Sequence, residues 1–324
     1  MEWVKRVAVL SVLLTGALAG CNYEAPGPAV EQAVGSDVDA PRVTVKDAGT
    51  GDKRVLAYAD IGKEQAVTVD VTSGFAQDVV KADRAADFET SSLDEKTTTL
   101  PLKGSVEEAS EATDGQAEAS RNVFFTVGVP EYSGNVRIDS AEGFQFGWRA
   151  VDSGQMSSLR LAAPQEGTDE ARALAETAIS TLVSLPVVFP DEEIGAGATW
   201  TVESRVAGGS PLLQTVTYTV DALTDTGAQL SVDVDQRPSL GALSLDAATQ
   251  PSDAPSTASA GTLDVRSSDS QASGKLTVDL SQPLPVAGDV DVMTRVVYGQ
   301  DGGEQPAVVQ TTKTGLKFSP NAAD

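Results

Sequence analysis

One thiol, no imidazole and a surplus of carboxylates bound the chemistry open to this chain. Cys21 is the only cysteine and there is no histidine in 324 residues. Ser-His-Asp and Cys-His catalysis, histidine general bases and histidine metal ligands are therefore excluded. A single thiol builds neither a cysteine-ligated metal site nor an internal disulfide. Gly-Lys occurs at 62–63 and 274–275, but Glu64 and Leu276 follow where a phosphate-binding loop needs Ser or Thr. Lys313-Thr314-Gly315 matches one piece of a β-lactamase signature, without the Ser-x-x-Lys or Ser-Asp-Asn that must accompany it. The acidic groups Asp191-Glu192-Glu193, Asp233/Asp235 and Asp289/Asp291 lack the spacing of a calcium loop and read as solvated faces. No catalytic residue, metal ligand or cofactor is expected, and the chain reads as a non-enzyme. A carboxylate pair that meets only in three dimensions is the enzymatic route left open.

The thiol sits at the end of a leader. Lys5 and Arg6 precede an apolar run, Val7 to Ala17, which small residues follow. That is the layout of a secretory signal peptide, and the run is shorter than the roughly 20 residues of a spanning helix. Leu18-Ala19-Gly20-Cys21 resembles the lipobox of bacterial lipoprotein precursors. The resemblance implies cleavage between Gly20 and Cys21 and a thioether-linked diacylglycerol on Cys21, with acyl chains of the palmitate kind. Two acyl chains give stable anchoring. The expected location is the extracytoplasmic side of the cell membrane. Residues 21–40, rich in Pro, Ala and Gly, read as a lipidated flexible tether spanning roughly 25 Å.

Composition narrows the partners. Asp and Glu number 47 against 23 Lys and Arg, a formal charge of −24. Such a surface repels nucleic acid and anionic headgroups at long range, and no nucleic-acid partner is expected. Aromatic residues are 5% of the chain, so a core must rely on Val, Leu, Ala and Ile.

Beyond the leader, period-two alternation dominates. Val67, Val69 and Val71 share one face of a strand over Gln65–Thr72, and Thr68, Asp70 and Thr72 the other. The same reading predicts strands over 42–46, 54–60, 122–129, 134–139, 143–151, 156–161, 199–206, 212–223, 228–236, 261–267, 275–280, 291–298, 307–313 and 315–318. The strand over 54–60 is expected to pair with 65–72 through Ile61–Glu64. Ala171, Leu174, Ala175, Ala178, Ile179, Leu182 and Val183 recur at helical spacing behind a Thr168 cap, which predicts one amphipathic helix over about 168–184, stopped by Pro186. Residues 81–120 and 246–260 are too poor in apolar side chains to fill a core and read as low-complexity insertions, with a short strand near 97–102. The domain organisation is thus a 1–20 signal peptide, a 21–40 tether, one β-rich α+β domain over 41–319 and a 320–324 tail. So many strands should form a large curved antiparallel sheet or partial barrel with the helix in its hollow.

Leu185-Pro-Val-Val-Phe-Pro190 with Ile194-Gly-Ala-Gly-Ala-Thr-Trp200, and later Gly274-Lys-Leu-Thr-Val-Asp-Leu280 with Pro283-Leu-Pro285, resembles a pattern of uncharacterised β-rich lipoproteins of Gram-positive bacteria. A curved sheet around a helix is more distantly similar to envelope lipid carriers, a likeness of fold alone. Two functions are expected to compete: an anchored protein that binds or carries an apolar ligand, and a surface structural or adapter protein that contacts envelope proteins and holds no small molecule.

Overall fold

The computed structural model describes residues 27–90, 92–113, 115–206, 212–240, 242–244, 262–300 and 305–321. The leader, Gly20, Cys21 and the 246–260 insertion lie outside the described residues. The strands in chain order are β1 (Val34–Asp37), β2 (Arg42–Asp47), β3 (Thr50–Arg54), β4 (Glu64–Lys81), β5 (Asp94–Glu108), β6 (Arg121–Val127), β7 (Glu131–Tyr132), β8 (Gln145–Ala150), β9 (Met156–Ala162), β10 (Ile194–Ala196), β11 (Thr199–Val206), β12 (Leu212–Leu223), β13 (Gly227–Pro238), β14 (Ala242–Ser244), β15 (Thr262–Asp279), β16 (Ala287–Gly299) and β17 (Pro306–Pro320). One α-helix, α1 (Asp169–Val183), separates β9 from β10.

The fold is mainly β, as the alternation predicts. Fifteen strands form one antiparallel sheet ordered β1-β9-β8-β6-β5-β4-β17-β16-β15-β13-β12-β11-β2, with β7 on β5 and β14 on β15. β3 and β10 make a separate pair. The large sheet consists of two meanders, β4 to β9 and β11 to β17, joined where β17 returns along β4 from Pro306↔Lys81 to Pro320↔Val67.

The sheet does not close by hydrogen bonds, but one segment binds both of its ends. β1 pairs with β9 and β2 with β11, at opposite ends of the strand order. Only residues 38–41 separate β1 from β2, and so short a stretch spans no more than about 18 Å. The sheet must therefore curl until its two ends come within reach of that one segment. Its concave face carries one continuous core, including Val67, Val69 and Val71 of β4, Phe125 of β6, Tyr218 of β12 and Val292 of β16. α1 fills the hollow with Ala171, Ala175, Ala178, Ile179 and Leu182. Its first turn is capped by Thr168, whose hydroxyl accepts from the Ala171 N–H at 3.2 Å. No helix among the described residues is long and apolar enough to cross a membrane.

Several expectations are corrected. The short strand expected near 97–102 extends over residues 94–108 of the expected insertion as β5, which pairs with β4 on one side and β6 on the other. Thr98, Leu100, Leu102 and Val106 bury its inner face, while polar residues dominate the rest of the strand, so its composition looks poor. The stretch 55–60 is not a strand. Tyr58 and Ala59 donate their N–H groups to Asp152 and Leu280 carbonyls, crossing the end of the sheet. Residues 134–139 make bends and the start of a single 3₁₀ turn, Asp139–Ala141. The paired expectations over 261–267 and 275–280 merge in β15, and those over 307–318 merge in β17. The tether loses its distal part to β1, whose side chains are all exposed and which is held through its backbone.

Because the β4–β17 ladder is the direct strand pairing between the two meanders, truncation before Pro306 should abolish cooperative urea unfolding and near-ultraviolet dichroism. A truncated chain that still unfolds in one sharp transition would refute this role.

Candidate functional site

The residues singled out by sequence do not converge. Asp191, Glu192 and Glu193 are exposed, and Asp233 and Asp235 project outward from β13. Asp289 faces Lys275 and Lys317 across the outer surface. Among the described residues no three carboxylates are grouped to hold a metal. Lys313 pairs with Glu95 at 2.8 Å, and Gly274-Lys275 lies within β15 rather than in a loop.

The organised chemistry lies inside the curl, where three aromatic side chains grip one turn of backbone. Tyr218 donates to the Pro186 carbonyl at 2.9 Å, Tyr58 to the Val187 carbonyl at 3.3 Å, and Trp200 Nε1 to the Val188 carbonyl at 2.8 Å. The rings form a chain: Tyr58 to Phe189, Phe189 to Trp200 and Trp200 to Tyr218, with centroids 5.8, 5.8 and 5.2 Å apart. The Leu185–Pro190 motif is thus the exit of α1, fastened to β11, β12 and the 55–60 crossing. The Val187 and Val188 residues are buried and Pro186 is partly buried, so carbonyls left there without a donor would be costly.

Beside this turn stands a buried ion pair. Arg121, 1% exposed, opens β6, and Asp60, 0% exposed, ends the crossing segment. Arg121 Nε donates to Asp60 Oδ1 at 2.7 Å and Nη2 to Oδ2, a fork-on-carboxylate geometry. The guanidinium carbon lies 4.3 Å from the Tyr58 ring centre, a cation–π contact. Burial pushes the Tyr58 phenol far above its usual range, against the lowering effect of Arg121; burial raises Tyr218 in the same way. Sequence reasoning missed this pair because its partners lie 61 residues apart. The available signal was an arginine at the head of a strand whose inner face, Val123, Phe125 and Val127, is otherwise apolar.

The space left beside the pair is small. A cavity of ≈ 40 Å³ is bounded by Tyr58, Arg121, Trp148, Leu182, Leu185 and Leu284. That is room for a water molecule or two. A larger opening of ≈ 370 Å³ lies elsewhere, between the 82–86 turn and the far ends of β15 to β17. Farther along the hollow, Gln214 donates to the Ser184 carbonyl at 3.0 Å, Gln236 to Gln214 Oε1 at 2.8 Å and Thr294 to Gln236 Oε1 at 2.8 Å. This chain fastens the end of α1 to β12, β13 and β16.

No protein-family model and no curated protein matches the chain.

Two outcomes are expected. Asp60→Ala leaves Arg121 buried and unpaired, which should cost about 3–5 kcal/mol in urea unfolding. Asp60→Leu combined with Arg121→Met should recover most of that loss; equal losses in the single and double variants would contradict the argument. The raised Tyr58 and Tyr218 values mean that the unfolded chain ionises first as pH rises. Their stabilising contribution is therefore complete below about pH 10 and lost above it. Alkaline titration should show these two phenols ionising together with unfolding, monitored by tyrosinate absorbance and dichroism.

Proposed function

We propose that this is a lipid-anchored protein of the cell envelope, on the extracytoplasmic side, whose body acts as an adapter presenting outer surfaces to other envelope proteins. The observation that carries the adapter reading is the filled hollow. Pockets for drug-sized ligands enclose about 300–1,000 Å³, and the concave face leaves ≈ 40 Å³ beside α1. Carrying an acyl chain there would require α1 to leave a bed in which Ala171, Ala175 and Ile179 are fully buried. It would also break the bond from Gln214 to the Ser184 carbonyl. Apolar side chains are instead available outside the core: Phe75 is 53% and Val79 67% exposed on the far half of β4. The anchoring part of the reading rests on the leader and Cys21, and on their resemblance to a lipobox.

The two parts are tested separately. Mass spectrometry of the membrane-extracted chain should find an N-terminal peptide beginning at lipid-modified Cys21, and Cys21→Ala should move the protein out of the membrane fraction. An unmodified Cys21 would sink the anchor. Native mass spectrometry in mild detergent should find the body free of any lipid beyond the covalent one. One stoichiometric, exchangeable lipid per chain would replace the adapter by a carrier.

A further inference from the structure

The chain carries about twice as many carboxylates as cations, yet two arginines on the outer face of the sheet lack an acidic partner. Arg149 of β8 is 7% exposed and Arg160 of β9 is partly buried. Among the described residues neither is in an ion pair. Arg149 lies opposite Ser158, and Arg160 opposite Gly147, so the two are diagonal neighbours on one face. Long side chains reach each other across that spacing. Residue 147 has no side chain to obstruct Arg160, which crosses β8 and donates from Nη2 to Asn122 Oδ1 of β6 at 3.0 Å. Asn122 is itself directly opposite Arg149. Two like charges are thus gathered around one amide.

What Arg149 binds is informative. Its Nη1 donates to Ser110 Oγ at 3.0 Å and its Nη2 to the Ser110 carbonyl at 2.8 Å, while Nε is buried without a partner. Two oxygens on the two terminal nitrogens reproduce the way an oxyanion engages a guanidinium. Here both oxygens come from the 109–120 loop, which Ala109 N–H and the Ser120 carbonyl close at 2.9 Å. The carboxylates in the same cross-strand row are Glu107, opposite Asn122, and Asp37, opposite Ser158. Each stands two strands from Arg149, about 10 Å away. A desolvated cation supported only by neutral groups is costly, and a second cation alongside adds repulsion that a bound anion would remove.

We propose that Arg149, Arg160 and Asn122 form a binding site for a phosphate-type oxyanion, covered by Ser110, whose two oxygens hold the place of the ligand's. The test is isothermal titration of the detergent-solubilised full chain with inorganic phosphate and, separately, with glycerophosphoglycerol, the deacylated headgroup of phosphatidylglycerol. Saturable phosphate binding with a Kd of about 1 mM or tighter is expected. Ser110→Gly removes one competing bond and should tighten it by on the order of three- to tenfold. Arg160→Gln should weaken it by about tenfold or more with the dichroism spectrum unchanged. If that variant does not fold, Arg160→Lys keeps the charge but loses the fork, and should still weaken binding several-fold. Tighter binding of the headgroup than of phosphate identifies a lipid source, and the reverse a free anion. Absence of saturable heat with both ligands in the wild type and in Ser110→Gly overturns the site, as does undiminished binding in a folded Arg160 variant.

Discussion

The pairing of β4 with β17 is the constraint on which the molecule rests. Fifteen registered pairs run from Lys81 to Val67 along one strand and from Pro306 to Pro320 along the other. Each meander could in principle order its own hairpins, but neither has a second layer to cover its apolar face. Joined, they make one sheet long enough to curl, and curling gives Val69, Val292 and Leu316 a common interior with α1. The gap that curling leaves between β9 and β11 is crossed by the segment from β1 to β2, so the N-terminal segment completes what the C-terminal strand begins.

Inside, polar groups set the geometry more than size does. The carbonyls of Pro186, Val187 and Val188 need three donors, and Tyr218, Tyr58 and Trp200 supply them from three parts of the chain. The Asp60–Arg121 pair fixes where the 55–60 crossing meets β6. Gln214, Gln236 and Thr294 do the same for the end of α1. Apolar contacts alone tolerate sliding, whereas a buried donor without its acceptor does not. These interactions explain why the 185–200 motif is recognisable in the sequence: its prolines and glycines shape a turn with three successive carbonyls assigned to aromatic donors.

Legibility in the sequence follows the source of each element's stability. β12 alternates Val216, Tyr218 and Val220 against threonines, and α1 repeats alanine, leucine and isoleucine at helical spacing; both bury a full apolar stripe and were readable within a residue or two. β1 buries no side chain and exists through backbone bonds to β9, so no pattern marks it. The middle of β15 reads as polar because Ser268 and Ser270 face inward to the backbone of Gln236, where β13 and β15 have separated. Val55 to Asp60 has strand composition, but its donors are claimed by Asp152 and Leu280. The interior ion pair and the outer arginine pair were invisible for a common reason: each is a relation between strands, and a single sequence shows only what lies along one.

The strand order also carries a consequence for synthesis. A chain emerges N-terminus first, and β1 and β2 appear long before β9 and β11, more than a hundred residues downstream. β4 must wait longer still for β17, the last of the described strands in chain order. Until then its long apolar edge is a template for wrong partners. With most contacts between distant positions, folding should be slow and close to all-or-none, committed only once β17 has been made. The abundance of Asp and Glu along the waiting strands then has a second use: mutual repulsion keeps unfinished chains apart while the final strand is still to come.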